Sequence, residues 1–210
     1  MFEIFQKGGI MMYPLILCSV FGLAITLERA FSLRRKVVIN PEIVSLIENI
    51  KGPEDLGVAI SICERHRGAF ADIIRTGLEN RDLPGDEMKE SILDQGRQEV
   101  RILERGLVVL ETVASAAPLL GLQGTVLGMI KVFTVISEQG VGGAASLSAP
   151  ISEALITTAT GLFIGIPALV MYNYFTHKAE NLVLDIEKYS TTLLKKLKGF
   201  QPSELERISR

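Results

Sequence analysis

Two apolar stretches of helix length, Val113 to Ile130 and Ala154 to Phe175, constrain this chain most, because each carries small residues and hydroxyls where a lipid-facing helix would carry leucine. A hydrocarbon core about 30 Å thick is crossed by roughly 20 apolar residues in a helix, so both read as spans. Spans built this way pack against other helices or line a polar path. A third run, Gly8 to Leu27, has no charge, and Glu28, Arg29, Arg34, Arg35 and Lys36 follow it. A cleaved signal peptide places its cations before the apolar run and a small-residue cleavage site after it. Here Lys7 is the only early cation, offset by Glu3, and the far end reads LERAFSLRR, so the segment reads as a retained anchor.

The cations predict an orientation. Of 22 Lys and Arg, 13 lie between Arg29 and Arg105 and seven follow Phe175, leaving Lys7 and Lys131. The positive-inside rule then gives N-out and C-in. The expected fold is an all-α membrane protein: spans over 8–27, 111–136 and 151–175, an outer loop over 137–150, a cytoplasmic helical domain over 28–110 and a cytoplasmic helix and tail over 176–210. Extensions of the second and third spans contribute to that domain.

Within 28–110, turn signals at Asn40-Pro41, Lys51-Gly52-Pro53, Arg67-Gly68 and Leu83-Pro84-Gly85 cut the segment into short helices. Met88, Ile92, Val100 and Leu103 recur at near-helical spacing in the last. No strong breaker follows Asp86 until Pro118, which predicts one helix from Asp86 to about Ile136, roughly 75 Å long at 1.5 Å per residue. The third span also runs on, with Leu182, Ile186, Leu193, Leu194 and Leu197 interleaved among lysines.

Several function classes find no support. Basic and acidic residues are interspersed around a net charge of −2, which leaves no nucleic-acid footprint. Cys18 and Cys63 are too few and too far apart for a disulfide framework or a thiolate metal site, and His66 and His177 each stand alone. Neither GVGG nor GLQGTVLG has the Gly-Lys-Ser/Thr of a phosphate cradle. No metal, cofactor or enzymatic nucleophile is expected.

The polar groups inside the spans are more informative. At 100° per residue Ala114, Ala117, Pro118, Gly121, Thr125 and Gly128 fall within about 100° of arc on the second span. Gly124 with Gly128, and Gly161 with Gly165, form the GxxxG spacing that lets two backbones approach closely. On the third span Glu153, Thr157, Thr160 and Ile164 share one face, and Ala154, Thr158, Gly161, Gly165 and Ala168 the neighbouring one. Helix packing alone accounts for the glycines equally well. A carboxylate aligned with threonines favours a polar path, since ionisable groups at this depth face a bundle interior or water. Glu111 and Lys131, at opposite ends of the second span, are explained by snorkelling. Pro118 and Pro167 each free a backbone carbonyl within the bilayer.

The motifs A-x-x-A-P-L-L-G-L-x-G-T-V-x-G-M-I from Ala114 and E-A-L-x-x-T-A-x-G-L-x-x-x-I-P-A from Glu153 resemble the MotA/TolQ/ExbB proton channel family, with L-E-R at Leu27 to Arg29 closest to its ExbB and TolQ branch. The resemblance covers the three spans, and the cytoplasmic segment only in length and helical character. It implies a bacterial inner-membrane homopentamer around a dimer of a single-span ExbD/TolR-like protein whose aspartate carries the proton, with a TonB/TolA-like protein as a further partner. By motif position Thr125 and Thr158 face that aspartate and Glu153 is the family's acidic residue. The family pattern carries a small or apolar residue where Thr157 stands. Ala117, Pro118, Gly121, Gly124, Gly128, Gly161, Gly165 and Pro167 pack helices or line the pore.

A threonine hydroxyl both donates and accepts, so it can stabilise a partner carboxylate in either protonation state. Two alternatives stay open at this point. One is a membrane-anchored helical scaffold without proton conduction. The other is a flagellar-stator-like subunit, although those have four spans and a larger cytoplasmic domain.

Overall fold

The computed structural model describes residues 8–139 and 144–200, and among these it contains helices and no strand. The helices are α1 Met12–Ser32, α2 Arg35–Val38, α3 Pro41–Asn49, α4 Leu56–Arg65, α5 Ala69–Glu79, α6 Gly85–Glu104, α7 Leu107–Gln139 and α8 Ala144–Phe200, with a 3-10 turn at Pro53–Asp55. Three of them, α1, α7 and α8, are long and apolar enough to cross a membrane. The chain divides into two compact units: Met1–Arg29 with Gly106–Phe175, and Ala30–Arg105 with Thr176–Arg210.

The first unit holds the apolar stretches. Large apolar side chains point outward all along it, including Phe21 and Leu23 on α1, Leu119 and Phe133 on α7, and Phe163, Ile166 and Val170 on α8. An exposed surface of this kind is built for lipid rather than water. The loop expected over 137–150 shrinks, because α7 runs to Gln139 and α8 already begins at Ala144. Alanine and leucine sustain the helix there, and an antiparallel pair needs only a few connecting residues. Residues 140–143 lie outside the described set.

The second unit is a small helical domain whose starts follow the sequence punctuation. Asn40 caps α3, its Oδ1 accepting the Glu42 N–H at 2.8 Å, and Pro41 occupies the first turn, where its missing N–H costs nothing. Gly52, Gly68 and Pro84 precede the next starts. Ile43, Ile47, Phe70, Ile74, Leu78, Met88, Leu193 and Leu197 are essentially fully buried, and Phe70 stacks tilted against Tyr189 at 5.6 Å. The distal part of α8 therefore supplies one wall of this core. Lys196 Nζ donates to the Glu48 and Ile50 carbonyls at 2.6 and 3.2 Å, placing a cation on the negative end of α3. Cys63 is buried in the same domain, and burial pushes its thiol up to about 11.

Two expectations about this segment are corrected. The single helix predicted from Asp86 to Ile136 is broken: α6 ends at Glu104, and Gly106 turns the chain with φ of +89° before α7 starts. Only glycine takes that conformation without strain. Its carbonyl then accepts the Val109 and Leu110 N–H groups at 3.1 and 3.3 Å and so opens the next helix. In α6 the inward positions are Met88, Ile92, Glu99 and Leu103, so a carboxylate occupies the buried place expected for Val100.

Candidate functional site: the seam between two spanning helices

Five glycines let α7 and α8 touch through their backbones. A Cβ at Gly161 would lie 2.5 Å from the Ala117 carbonyl oxygen and 2.9 Å from Gly121 Cα. One at Gly121 would meet the Thr157 carbonyl at 3.0 Å and Thr158 Cα at 3.1 Å. Gly165 lies against Pro118 and the Ala114 carbonyl, Gly124 against the Thr157 side chain, and Gly128 against Ala154 and the Pro150 carbonyl. The Ala114 carbonyl is the one Pro118 frees, so the partner glycine packs where the helix has lost its own hydrogen bond. Thr158 Oγ1 donates to the Gly121 carbonyl at 2.9 Å, a hydrogen bond between the helices. Contacts of this kind, rather than hydrophobicity, hold helices together where lipid is as apolar as leucine.

One side of this seam is covered by α1. Met12 and Leu15 pack on Ala117 with Leu120 and Ile164 around them, and Gly22 lies against Val113. At 100° per residue Thr125 and Pro118 sit about 120–160° around α7 from Val113 and Leu120, and Thr158 about 100–120° around α8 from Ile164 and Thr157. Thr125 and Thr158 therefore share the edge of the seam away from α1, and both are half-buried.

Glu153 and Thr157 take the opposite edge. Thr157 is 1 % exposed and donates to the Ala154 and Glu153 carbonyls at 2.8 and 3.1 Å. Glu153 accepts both contacts of Lys131 Nζ, at 2.6 and 2.7 Å, and Gly9 closes over its carboxylate. Lys131 thus ties α7 to α8 instead of only reaching for the membrane surface. The four candidate proton-path residues fall into two pairs on two edges. Ala117 and the five glycines form the buried interior of the seam, Pro118 is half-buried at its margin, and Pro167 is exposed.

The hydroxyls differ from expectation in one respect. Thr125 Oγ1 donates to the Leu122 carbonyl at 2.6 Å, as Thr158 does to Gly121. With each hydrogen given to a carbonyl, what both residues offer to a newcomer is oxygen lone pairs. Sequence reasoning missed Lys131 as a partner of Glu153; a partial signal was available, since Lys131 is the one cation between residues 106 and 177, with Glu138 and Glu153 on either side of the short connection between α7 and α8. Among the described residues no group of His, Cys, Asp and Glu could hold a metal ion.

The sequence profile of the MotA/TolQ/ExbB proton channel family matches residues 65–188, which include α7 and the membrane part of α8. The ExbB-like 1 protein of Synechocystis sp., a candidate biopolymer transport protein, is 33 % identical over 172 residues, 80 % of this chain and 67 % of that one. The biopolymer transport protein ExbB of Aquifex aeolicus is 39 % identical over 85 residues, 40 % of this chain and 57 % of the relative. An ExbB homologue from Methanothermobacter thermautotrophicus is 28 % identical over 190 residues, 88 % of this chain and 66 % of the relative. The chain thus spans about two thirds or less of the length of these relatives.

Proposed function

Because this chain belongs to the MotA/TolQ/ExbB proton channel family, we propose that it is a proton-channel motor subunit of the ExbB/TolQ type in the bacterial inner membrane, with its N-terminus outside. Five copies surround a dimer of a single-span ExbD/TolR-like protein. The proton-motive force then drives mechanical work for outer-membrane transport or envelope maintenance, passed on to a TonB/TolA-like protein. The observation that carries this reading is the placement of Thr125 and Thr158 on one open edge of a seam that is otherwise closed by backbone contact.

A proton falling through 100 mV releases about 2.3 kcal/mol, enough to bias a conformational step provided it does not leak. The seam favours tightness: Gly121 and Gly161 leave no room between α7 and α8 for water. In this reading the protonatable acid comes from the partner, and Thr125 and Thr158 are the wall it meets. Thr157 holds the two helices in register, and Glu153 with Lys131 closes the outer end.

Replacing Thr158 by Val or Glu153 by Gln should abolish energised work while the complex with the single-span partner still assembles. Full activity in both variants refutes the site assignment. A scaffold, by contrast, works without a proton gradient and tolerates Thr125→Val.

A further inference from the structure

His66, solitary in the sequence, has two polar partners in the helical domain. It closes the end of α4 beside a cavity of about 220 Å³. Its Nδ1 lies 2.9 Å from Asn40 Nδ2 and its Nε2 lies 2.7 Å from Glu42 Oε2, so both ring nitrogens engage the start of α3.

One main-chain group fixes the role of every atom in this set. The Glu42 N–H can only donate, and Asn40 Oδ1 accepts it at 2.8 Å as the cap of α3. The other end of the same amide is then its NH2, which has hydrogens to give and no lone pair to offer. His66 Nδ1 must therefore accept, so the ring's one hydrogen sits on Nε2 and is donated to the Glu42 carboxylate. This match holds only for the neutral imidazole. A second ring proton has to go on Nδ1, where it meets the amide hydrogens of Asn40. The bond to Glu42 becomes charge-assisted and is kept. If Asn40 turns its oxygen to the imidazolium, it gains a charge-assisted bond in place of the neutral one in the cap. Turning uncaps α3.

The other charged groups at the cavity are Arg65 and Arg67, both exposed and on the same stretch of chain as His66. The neighbouring elements line it without charge, α2 with Val37 and Val38 and the α5 side with Gly68 and Ala71, while Asp72 is engaged with Arg75 at 3.5 Å. The far end of α3 is held separately, by Lys196 on the Glu48 and Ile50 carbonyls.

We propose that His66 is a proton-operated latch: neutral, it holds Asn40 as the cap of α3, and protonated, it draws the Asn40 oxygen to itself and lets the first turn of α3 open while Lys196 keeps the last. The inference concerns the helical domain alone and goes beyond the channel reading, whose failure would leave it standing.

The chain has two histidines, and His177 is exposed on α8, so a full-length His177→Gln chain carrying isotope-labelled histidine in lipid discs shows a single imidazole. Histidine ordinarily titrates between about pH 5 and 8. At about pH 7.5 the ring spectrum should place the hydrogen on Nε2, and at about pH 5.5 on both nitrogens. Amide hydrogen exchange over residues 42–46, corrected for the chemical rate at each pH, should lose roughly fivefold in protection across that interval, the worth of one cap. His66→Gln should abolish this pH dependence. Asn40→Asp keeps one oxygen for the cap and offers the other to Nδ1–H, so it too should hold protection constant. A hydrogen on Nδ1 at the higher pH overturns the proposal, as does an imidazole still neutral at the lower one. Unchanged protection in the protonated chain, or a loss that persists in either variant, overturns it as well.

Discussion

Gly161→Ala should be among the most damaging single-methyl additions in the membrane unit. The new carbon would sit 2.5 Å from the Ala117 carbonyl oxygen and 2.9 Å from Gly121 Cα. Comfortable contact is about 3.5 Å, so α7 and α8 must part by up to roughly 1 Å; both obstacles are backbone, which no rotamer change relieves. Overpacking of this kind costs about 1–3 kcal/mol. Separation also stretches the Thr158 to Gly121 hydrogen bond, and such bonds between membrane helices contribute about 0.6 kcal/mol and at most about 1.7. The sum, about 1.6–4.7 kcal/mol, corresponds to a factor of roughly 15 to 3,000 in the folding equilibrium. Reversible denaturation of the chain in lipid discs measures it. Gly57→Ala in α4 is the control, since nothing lies within 4 Å of its added carbon and the helix gains about 0.5–1 kcal/mol. If Gly161→Ala unfolds at the wild-type midpoint while Gly57→Ala shifts as stated, the seam is not the close backbone contact described.

Lys131→Gln and Glu153→Gln in a double-mutant cycle should give a coupling of only about 0.2–1 kcal/mol, because the lysine is half exposed and solvent screens the pair; a coupling near zero separates the two residues. Cys63, held near 11, should react with iodoacetamide at pH 8 about 100-fold more slowly than an ordinary thiol, by thiolate fraction alone. The same group ionises sooner in the unfolded chain than in the folded one, so its contribution to stability is complete below pH 9 and is lost as pH rises toward 11; Cys63→Ala should flatten that part of the stability profile. Glu99→Gln removes a buried carboxylate whose folded pKa is raised, so it should stabilise the helical domain at neutral pH and erase the fall in stability as pH rises past the unfolded carboxylate range. Denaturation midpoints at pH 4.5 and 7.5 read the difference.

Much of this architecture was legible in the residues. Asn40-Pro41, Gly52-Pro53, Arg67-Gly68 and Pro84-Gly85 each mark the start of a helix or 3-10 turn in the structure, because caps and breakers act locally. The small residues of the two motifs likewise announce a close approach, since spacing alone puts Gly121, Gly124 and Gly128 on one side. What periodicity could not decide was rotation. Which edge α1 covers depends on Met12 and Leu15 fitting beside Ala117, Leu120 and Ile164, a tertiary choice, and that choice leaves Thr158 rather than Glu153 and Thr157 on the edge away from α1. The turn at Gly106 was hidden for a different reason: a lone glycine between two helical runs is tolerated inside a helix as readily as it ends one, and only its φ of +89° tells them apart.

The direction of two hydroxyl hydrogens has its own consequence. Thr125 and Thr158 each spend theirs on a main-chain oxygen, 2.6 and 2.9 Å away. A visiting carboxylic acid that still owns its proton can donate into the waiting lone pairs, whereas the same group once ionised finds oxygen facing oxygen and is turned away. If the proposed carrier meets this edge, the pair greets it loaded and rebuffs it empty, an asymmetry of welcome written into the wall without any charge of its own.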